Sequence, residues 1–249
     1  MILKTIKTVI KSLFKLLGLD ISFVRSERYK KQKEDADLKR ANLWLTEFNF
    51  HSIIDIGANE GQFAKKVRTL FPSTKIISFE PIPTVFEKLK IDFATDQNFK
   101  AFNVGLGEKE EKMQLWLNEY SPSSSLLKMD HHTEHFDFAV KQNQIEIQLA
   151  RLDSYTSEID LTKPYLVKID VQGYEDRVIK GGTDVLRKAK MIITEVSFVS
   201  LYEGQVLFDQ IYSSLKALGF RYVGNYEQLH SPINHSVLQA DAIFLREND

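Results

Sequence analysis

Two short apolar runs, each running into a turn or strand tip that carries a carboxylate, constrain this chain more than any other feature. Ile53-Ile54-Asp55-Ile56-Gly57-Ala58-Asn59-Glu60-Gly61 passes from a buried-type strand into a glycine turn, and Ile76-Ile77-Ser78-Phe79-Glu80-Pro81 is a second such strand. Between them Phe63, Val67 and Leu70 recur at helical spacing until Phe71-Pro72 stops the helix. Strand, helix and buried strand in this order make a parallel unit, and open parallel sheets bind ligands at the carboxyl ends of their strands. Gly57 and Gly61 lack a Cβ, so the turn can bend sharply and let a ligand lie against the main chain. Glu80, at the edge of the second strand, offers two acceptor oxygens to the two hydroxyls of a ribose, which points to an adenosine cofactor.

The spacing of the glycines selects among adenosine cofactors. Dinucleotide sites use G-x-G-x-x-G so that amides and a helix N-terminus face a pyrophosphate. Here the order is Asp-x-Gly-x-x-x-Gly, with Asp55 two residues before the first glycine, where it would repel phosphate. That arrangement suits S-adenosyl-L-methionine, which carries an ammonium and a sulfonium and no phosphate. A glycine turn after a strand is often only a turn, and it is Glu80 at the right distance that favours a ligand here.

Composition narrows the class. With 249 residues, 43% hydrophobic and 27% charged, the chain fills one α/β domain. A net charge of −1 gives no electrostatic footprint for nucleic acid. The absence of cysteine excludes a disulfide framework, a thiolate nucleophile and a cysteine zinc site, and fits a reducing cytoplasm. Charge is uneven at the N-terminus. In MILKTIKTVIKSLFKLLGL, residues 1–19, the lysines at 4, 7, 11 and 15 share a narrow helical stripe opposite Ile2, Leu3, Ile6, Val9, Ile10, Leu13, Phe14 and Leu17. Lysine interrupts every apolar run well below the ~20 residues a bilayer needs, and no signal-peptide pattern is present. Two readings stand: a helix lying peripherally on the anionic inner face of a membrane, or one packed on the domain or on a second subunit of a homo-oligomer.

Residues 27–37, ERYKKQKEDAD, read as a polar hinge, so the chain divides into an N-terminal helix and hinge, 1–35, and a catalytic domain, 36–249. A helix is expected over Ala36–Phe48, another opening at Pro83, and a third strand over Phe99–Val104. Met113–Leu117 and Ile145–Leu149 read as short strands flanking a polar excursion long enough to cap a substrate. His131, His132 and His135 lie in that excursion and read as solvated loop histidines, with no metal site assigned. Tyr165–Asp170 is a further buried strand ending on a carboxylate, and Gly173-Tyr174-Glu175 starts a helix. Met191–Val196, with Glu195 near its end, is the next strand. A helix through Phe208, Ile211, Leu215 and Leu218 ends at Gly219, and Phe220–Val223 and Ala240–Leu245 make an antiparallel pair at the sheet edge.

With these blocks in place, the chain resembles the FkbM family of S-adenosylmethionine-dependent methyltransferases. The resemblance rests on IIDIGANEGQF at 53–63, ISFEPIP at 77–83, NVGLGE at 103–108, LDSY at 152–155, VKIDVQGYEDRVIKGG at 167–182 and ITEV at 193–196. Gln172 stands where the family pattern usually has Glu. The resemblance implies an α/β class I, Rossmann-like fold: a mostly parallel seven-stranded sheet with helices on both faces. It also implies that Asp55, Gly57, Asn59 and Gly61 hold the methionine half of the cofactor, that Glu80 holds the ribose, and that Asn103 and Gly105 border the adenine. Methyl transfer to an oxygen needs alignment and a base, for which Asp170, Glu175 and Glu195 are the candidates. The competing reading is that Asp170 ties down its loop and Glu175 caps a helix. The same oxygens are the ligands for a divalent ion if one assists. The implied acceptor is a sugar hydroxyl of a cell-surface glycan or glycolipid precursor. The rivals are a small secondary metabolite as acceptor, or a non-catalytic membrane-attached binding protein that keeps the fold.

Overall fold

The computed structural model describes residues 2–18, 27–118, 124–129 and 142–247. The chain forms two compact units, Met1–Leu43 and Trp44–Asp249.

In the first unit, α1 spans Ile2–Leu16 and α2 spans Glu27–Ala41. The polar stretch expected as a hinge is therefore helical. Its sequence shows why: Lys30 and Glu34, Lys31 and Asp35, Lys33 and Asp37, and Asp35 and Lys39 stand four apart, a spacing at which opposite charges support a helix without any apolar face. The helix expected from residue 36 onward thus begins earlier, and it is followed by a separate turn of helix, α3, Leu43–Thr46. No helix among the described residues is long and apolar enough to cross a membrane.

The second unit is built on the seven-stranded sheet that the resemblance implies. Its strands are β1 (Ser52–Ile56), β2 (Lys75–Phe79), β3 (Phe99–Phe102) and, after a second small sheet, β7 (Tyr165–Ile169), β8 (Met191–Ser197), β9 (Phe220–His230) and β10 (Val237–Arg246). The order is β3-β2-β1-β7-β8-β10-β9. The first five run parallel, and β10 is antiparallel to both β8 and β9. The final hairpin lies at the edge as expected, with its second strand on the inside. Every residue of β1 and β7 is buried, as for the centre of a doubly covered parallel sheet.

Helices α4 (Gln62–Leu70), α5 (Pro83–Asp92), α6 (Glu175–Gly181), α7 (Thr183–Leu186) and α8 (Phe208–Ala217) accompany the sheet. The main core gathers Ile54, Ile77, Phe79, Val167 and Phe244 of the strands with Val178, Leu186, Ile211 and Leu215 of α6, α7 and α8. Register places Ser78, Asp55 and Lys168 side by side on neighbouring strands, so one buried sheet face carries a polar row toward its carboxyl end.

The expected third strand stops at Phe102. Asn103 donates through Nδ2 to the carbonyls of Glu80 (2.8 Å) and Pro81 (3.0 Å), and the chain turns there into β4 (Gly105–Leu106). With β5 (Glu111–Asn118) and β6 (Gln142–Ala150), β4 forms a separate sheet of order β4-β6-β5. Leu115, Ile147 and Leu149 of this sheet pack against Ile82 and Val85 at the start of α5. His131, His132 and His135 lie outside the described residues.

Candidate active site

The turn after β1 is fixed before any ligand is considered. The amides of Gly57 and Ala58 both donate to the Phe79 carbonyl at 3.0 Å, and the Asp170 amide donates to the Ile56 carbonyl at 3.0 Å. Gly57 has φ +80°, and a Cβ there would stand 1.9 Å from the Asp170 carbonyl oxygen. The tips of β1 and β7 can come this close only with glycine at 57. At Gly61 a Cβ would meet Leu89 Cδ1 at 2.8 Å and Phe93 Cε2 at 2.9 Å. Gly61 seats α4 against α5 and does not line the cavity.

Beyond these strand tips lies a cavity of about 460 Å³, within the usual range for small-molecule sites. At one end Glu80, 3% exposed, accepts the Asn59 amide on Oε2 and the Ile82 amide on Oε1, each at 2.8 Å. Each oxygen keeps a further lone-pair direction for a hydroxyl donor. Burial pushes the Glu80 carboxyl up to about 7 against the pull of those two amides. Phe79, Ile82, Val104, Leu106, Leu115 and Ile147 give this end apolar walls, with Gly105 among them. Asn103 does not line the cavity; it orients the Glu80-Pro81 backbone. Asn59 lines it, with a left-handed φ of 47°.

Next along the floor is Asp55, 1% exposed, whose Oδ2 is buried without a hydrogen-bond partner. Burial pushes its carboxyl up to about 7; Lys168 opposes this, and Asp170 and Glu80 add to it. Asp55 lines the cavity, and a buried carboxyl with one oxygen unpaired carries a cost that a nearby cation would offset.

The tip of β7 carries a compact charged network. Lys168, 4% exposed, donates to Asp170 Oδ2 at 3.1 Å and to Asp241 Oδ1 of β10 at 2.8 Å. Burial would lower the ammonium, but Asp170 and Asp241 hold it protonated and raise it overall. Gln172 donates through Nε2 to Asp170 Oδ1 at 2.8 Å and to Glu195 Oε1 at 3.1 Å, and its Oε1 accepts the Tyr202 hydroxyl at 2.8 Å. Of the three expected bases only Asp170 lines the cavity. Glu195 lies outside the lining, joined to Asp170 through the Gln172 amide. Burial first, then Asp170 and Glu175, raise its carboxyl well above the usual range. Glu175 is turned the other way: 3% exposed, it accepts the amides of Val171 (3.0 Å) and Gly173 (3.2 Å) through Oε1. It anchors the loop between β7 and α6 and lies outside the cavity lining. Burial pushes it up to about 7.

Lys168 and Asp241 line the cavity although spacing did not single them out, and so do Lys66, Tyr226 and Glu227. The Lys66 ammonium of α4 stands 4.1 Å over the Tyr226 ring and pairs with Glu227, tying α4 to β9 at the cavity edge. A lysine inside the otherwise apolar Tyr165–Ile169 strand is the one signal that pointed to the Lys168 network. Among the described residues no group of three or more His, Asp or Glu side chains gathers as metal ligands.

A family model, the methyltransferase FkbM domain, matches residues 55–222, from Asp55 through the Asp170 loop and into β9. The chain belongs to the FkbM methyltransferase family. The 2-O-methyltransferase NoeI of Sinorhizobium fredii is 29% identical over 161 residues, covering 62% of this chain and 66% of NoeI. Methyltransferase 1 of Beauveria bassiana is 26% identical over 146 residues, covering 53% of this chain and 58% of that one. The chain thus spans about two thirds or less of the length of these relatives. Among solved structures, magnesium protoporphyrin IX methyltransferase of Synechocystis, with bound S-adenosylmethionine, aligns over 97% of both chains at 10% identity with a TM-score of 0.44.

The FkbM cofactor, S-adenosyl-L-methionine, fits the residues present. Asp55 on the cavity lining would hold its ammonium, and Glu80 has acceptor oxygens for ribose hydroxyls. When bound, it supplies an electrophilic methyl group. The chain's own part is to hold it and to exclude water with the apolar walls. Asp170 stands on the same lining, its oxygens fixed by Lys168 on one side and Gln172 on the other.

Proposed function

We propose that the protein is an S-adenosyl-L-methionine-dependent O-methyltransferase whose acceptor is a sugar hydroxyl of a glycan or glycolipid precursor. The observation that carries the reading is the shared cavity: an orphaned buried Asp55 and a doubly anchored Glu80 for the cofactor, with Asp170 on the same wall for the acceptor's proton. The rim beyond Asp170 is lined by Lys66, Tyr226, Glu227 and Asp241. These side chains offer several hydrogen-bonding groups, which suits a polyhydroxylated acceptor. The relative NoeI, named as a 2-O-methyltransferase, supports oxygen as the nucleophile.

The test is incubation of the purified protein with methyl-labelled cofactor and separate pools of lipid-linked and soluble glycans. Label in a saccharide, lost with Asp170→Asn, supports the proposal. Label only in small non-saccharide metabolites supports the rival acceptor class. Cofactor binding without any transfer supports a binding protein that keeps the fold.

A further inference from the structure

The catalytic unit leaves α1 unexplained. Ile6 (51% exposed), Val9 (53%), Leu13 (59%) and Leu17 (70%) present apolar side chains to solvent, and Phe14 and Leu16 add to them. At about 100° per residue these positions fall on one arc of the helix. Within the same unit α2 offers them no cover, since it is polar around its circumference and exposed along most of its described length. An uncovered apolar arc of this size marks an interaction surface.

Charge decides among occupants. Residues 1–19 hold Lys4, Lys7, Lys11 and Lys15 and no acidic residue, although the chain as a whole is close to neutral. Helical spacing sets these lysines on a single stripe opposite the apolar arc, the amphipathic layout of a helix lying at a bilayer surface, whose long lysine side chains reach the headgroups. Pairing α1 with α1 of a second copy would cover the apolar arc but leave the lysine stripe without counter-charge, whereas an anionic surface answers both. Fifteen residues give a helix of about 22 Å, shorter than the ~30 Å hydrocarbon layer, so the helix lies in the plane rather than across it.

We infer that α1 docks the protein on an anionic lipid bilayer, with Ile6, Val9, Leu13, Phe14 and Leu17 in the acyl boundary and the lysines on the headgroups. The docking does not depend on the methyltransferase reading, and it is measured without turnover.

The experiment is flotation of the full chain with vesicles of phosphatidylcholine alone and of phosphatidylcholine mixed with phosphatidylglycerol, across a salt series. Partition onto the mixed vesicles, weak partition onto the neutral ones, and a steep loss with salt are expected. Each lysine near an anionic surface contributes about fivefold in affinity, so changing all four to Gln lowers binding several-hundred-fold at low salt. Leu13→Asp weakens binding to both kinds of vesicle, and Phe14→Trp shows an emission blue shift only with the mixed vesicles. In every variant the melting temperature of the catalytic unit and the affinity for S-adenosylmethionine stay at the parent values, which separates loss of docking from loss of fold. Equal binding to neutral and anionic vesicles, no binding, or binding untouched by the four Lys→Gln changes overturns the inference. So does self-association that Leu13→Asp abolishes without any vesicle binding.

Discussion

Protonation of Asp55 and Glu80 gives the proposed cofactor site a pH signature of defined sign. Burial raises each carboxyl to about 7, and Asp55 faces Lys168 and Asp170 while Glu80 faces the amides of Asn59 and Ile82. A cationic cofactor whose ribose hydroxyls donate hydrogen bonds selects the ionised form of both. At about pH 6 a group titrating near 7 is about nine-tenths protonated, so each costs about tenfold in affinity relative to about pH 8, and the two together up to about a hundredfold. Calorimetric titration of S-adenosylmethionine should show affinity rising through this window and between one and two protons released per cofactor near pH 6. Asp55→Asn should weaken binding and remove about one proton from that count. An affinity that is flat with pH, or highest in acid, refutes the assignment of both side chains.

The same shifts run the other way for the ligand-free protein. A carboxyl whose folded pKa lies above its unfolded value contributes stability that is complete below the unfolded pKa, near 4, and is lost as pH rises through the folded value, near 7. The shift of Asp55 from 3.8 to about 7 corresponds to about 4 kcal/mol, and that of Glu80 from 4.5 to about 7 to about 3 kcal/mol. Glu175, also pushed up to about 7, acts in the same direction. Melting temperature without cofactor should therefore fall between about pH 4 and 7, while the increment produced by cofactor should grow over the upper part of that window.

Three substitutions test the Lys168 network. Lys168→Met leaves Asp170 and Asp241 without their buried cation, and the loss of about 3–5 kcal/mol typical of a broken buried pair should appear in chemical denaturation, larger at neutral than at acid pH. Gln172→Glu sets a third carboxyl beside Asp170 and Glu195, so the rising limb of the pH–rate profile should move to higher pH, whereas Gln172→Ala should lower the rate without moving it. Asp170→Asn should lower kcat by about 10²–10⁴ with cofactor affinity within about threefold, whereas Glu175→Gln should lower the melting temperature more than kcat.

Legibility of the site followed from how each residue meets the backbone. Asp55 and Glu80 stood out because apolar runs deliver them to strand ends, and the structure sets both on the cavity wall. Gly61 shows a limit of spacing, because a glycine with positive φ looks the same in sequence whether its missing Cβ makes room for a ligand or, as here, for Phe93. Glu175 follows a strand end just as Asp170 does. What separates them is the left-handed backbone at Gln172 (φ 56°) and Gly173 (φ 96°), which folds the loop so that Glu175 receives its amides, and spacing does not encode that turn. Asp241 was hidden for a topological reason: it meets Lys168 only because β10 inserts between β8 and β9. In α2 a helix made from charge pairs has no apolar stripe and reads as a hinge.

The polar row on the buried sheet face joins these observations. Ser78, Asp55 and Lys168 occupy register positions that an apolar residue would fill at lower cost, and the Oγ of Ser78, like Asp55 Oδ2, has no partner. Removing such groups from water without full compensation is destabilising by several kcal/mol. A sheet built only for stability would not carry that row at its centre. Beside the cavity the carboxyl groups of Asp55, Glu80, Asp170, Glu227 and Asp241 outnumber the cations Lys66 and Lys168, so the local field favours a positively charged ligand and opposes a phosphorylated one. A ligand bearing a sulfonium and an ammonium turns that unfavourable burial into binding free energy. The stability lost by the empty protein as pH rises and the affinity gained over the same window are then two measurements of one charge distribution.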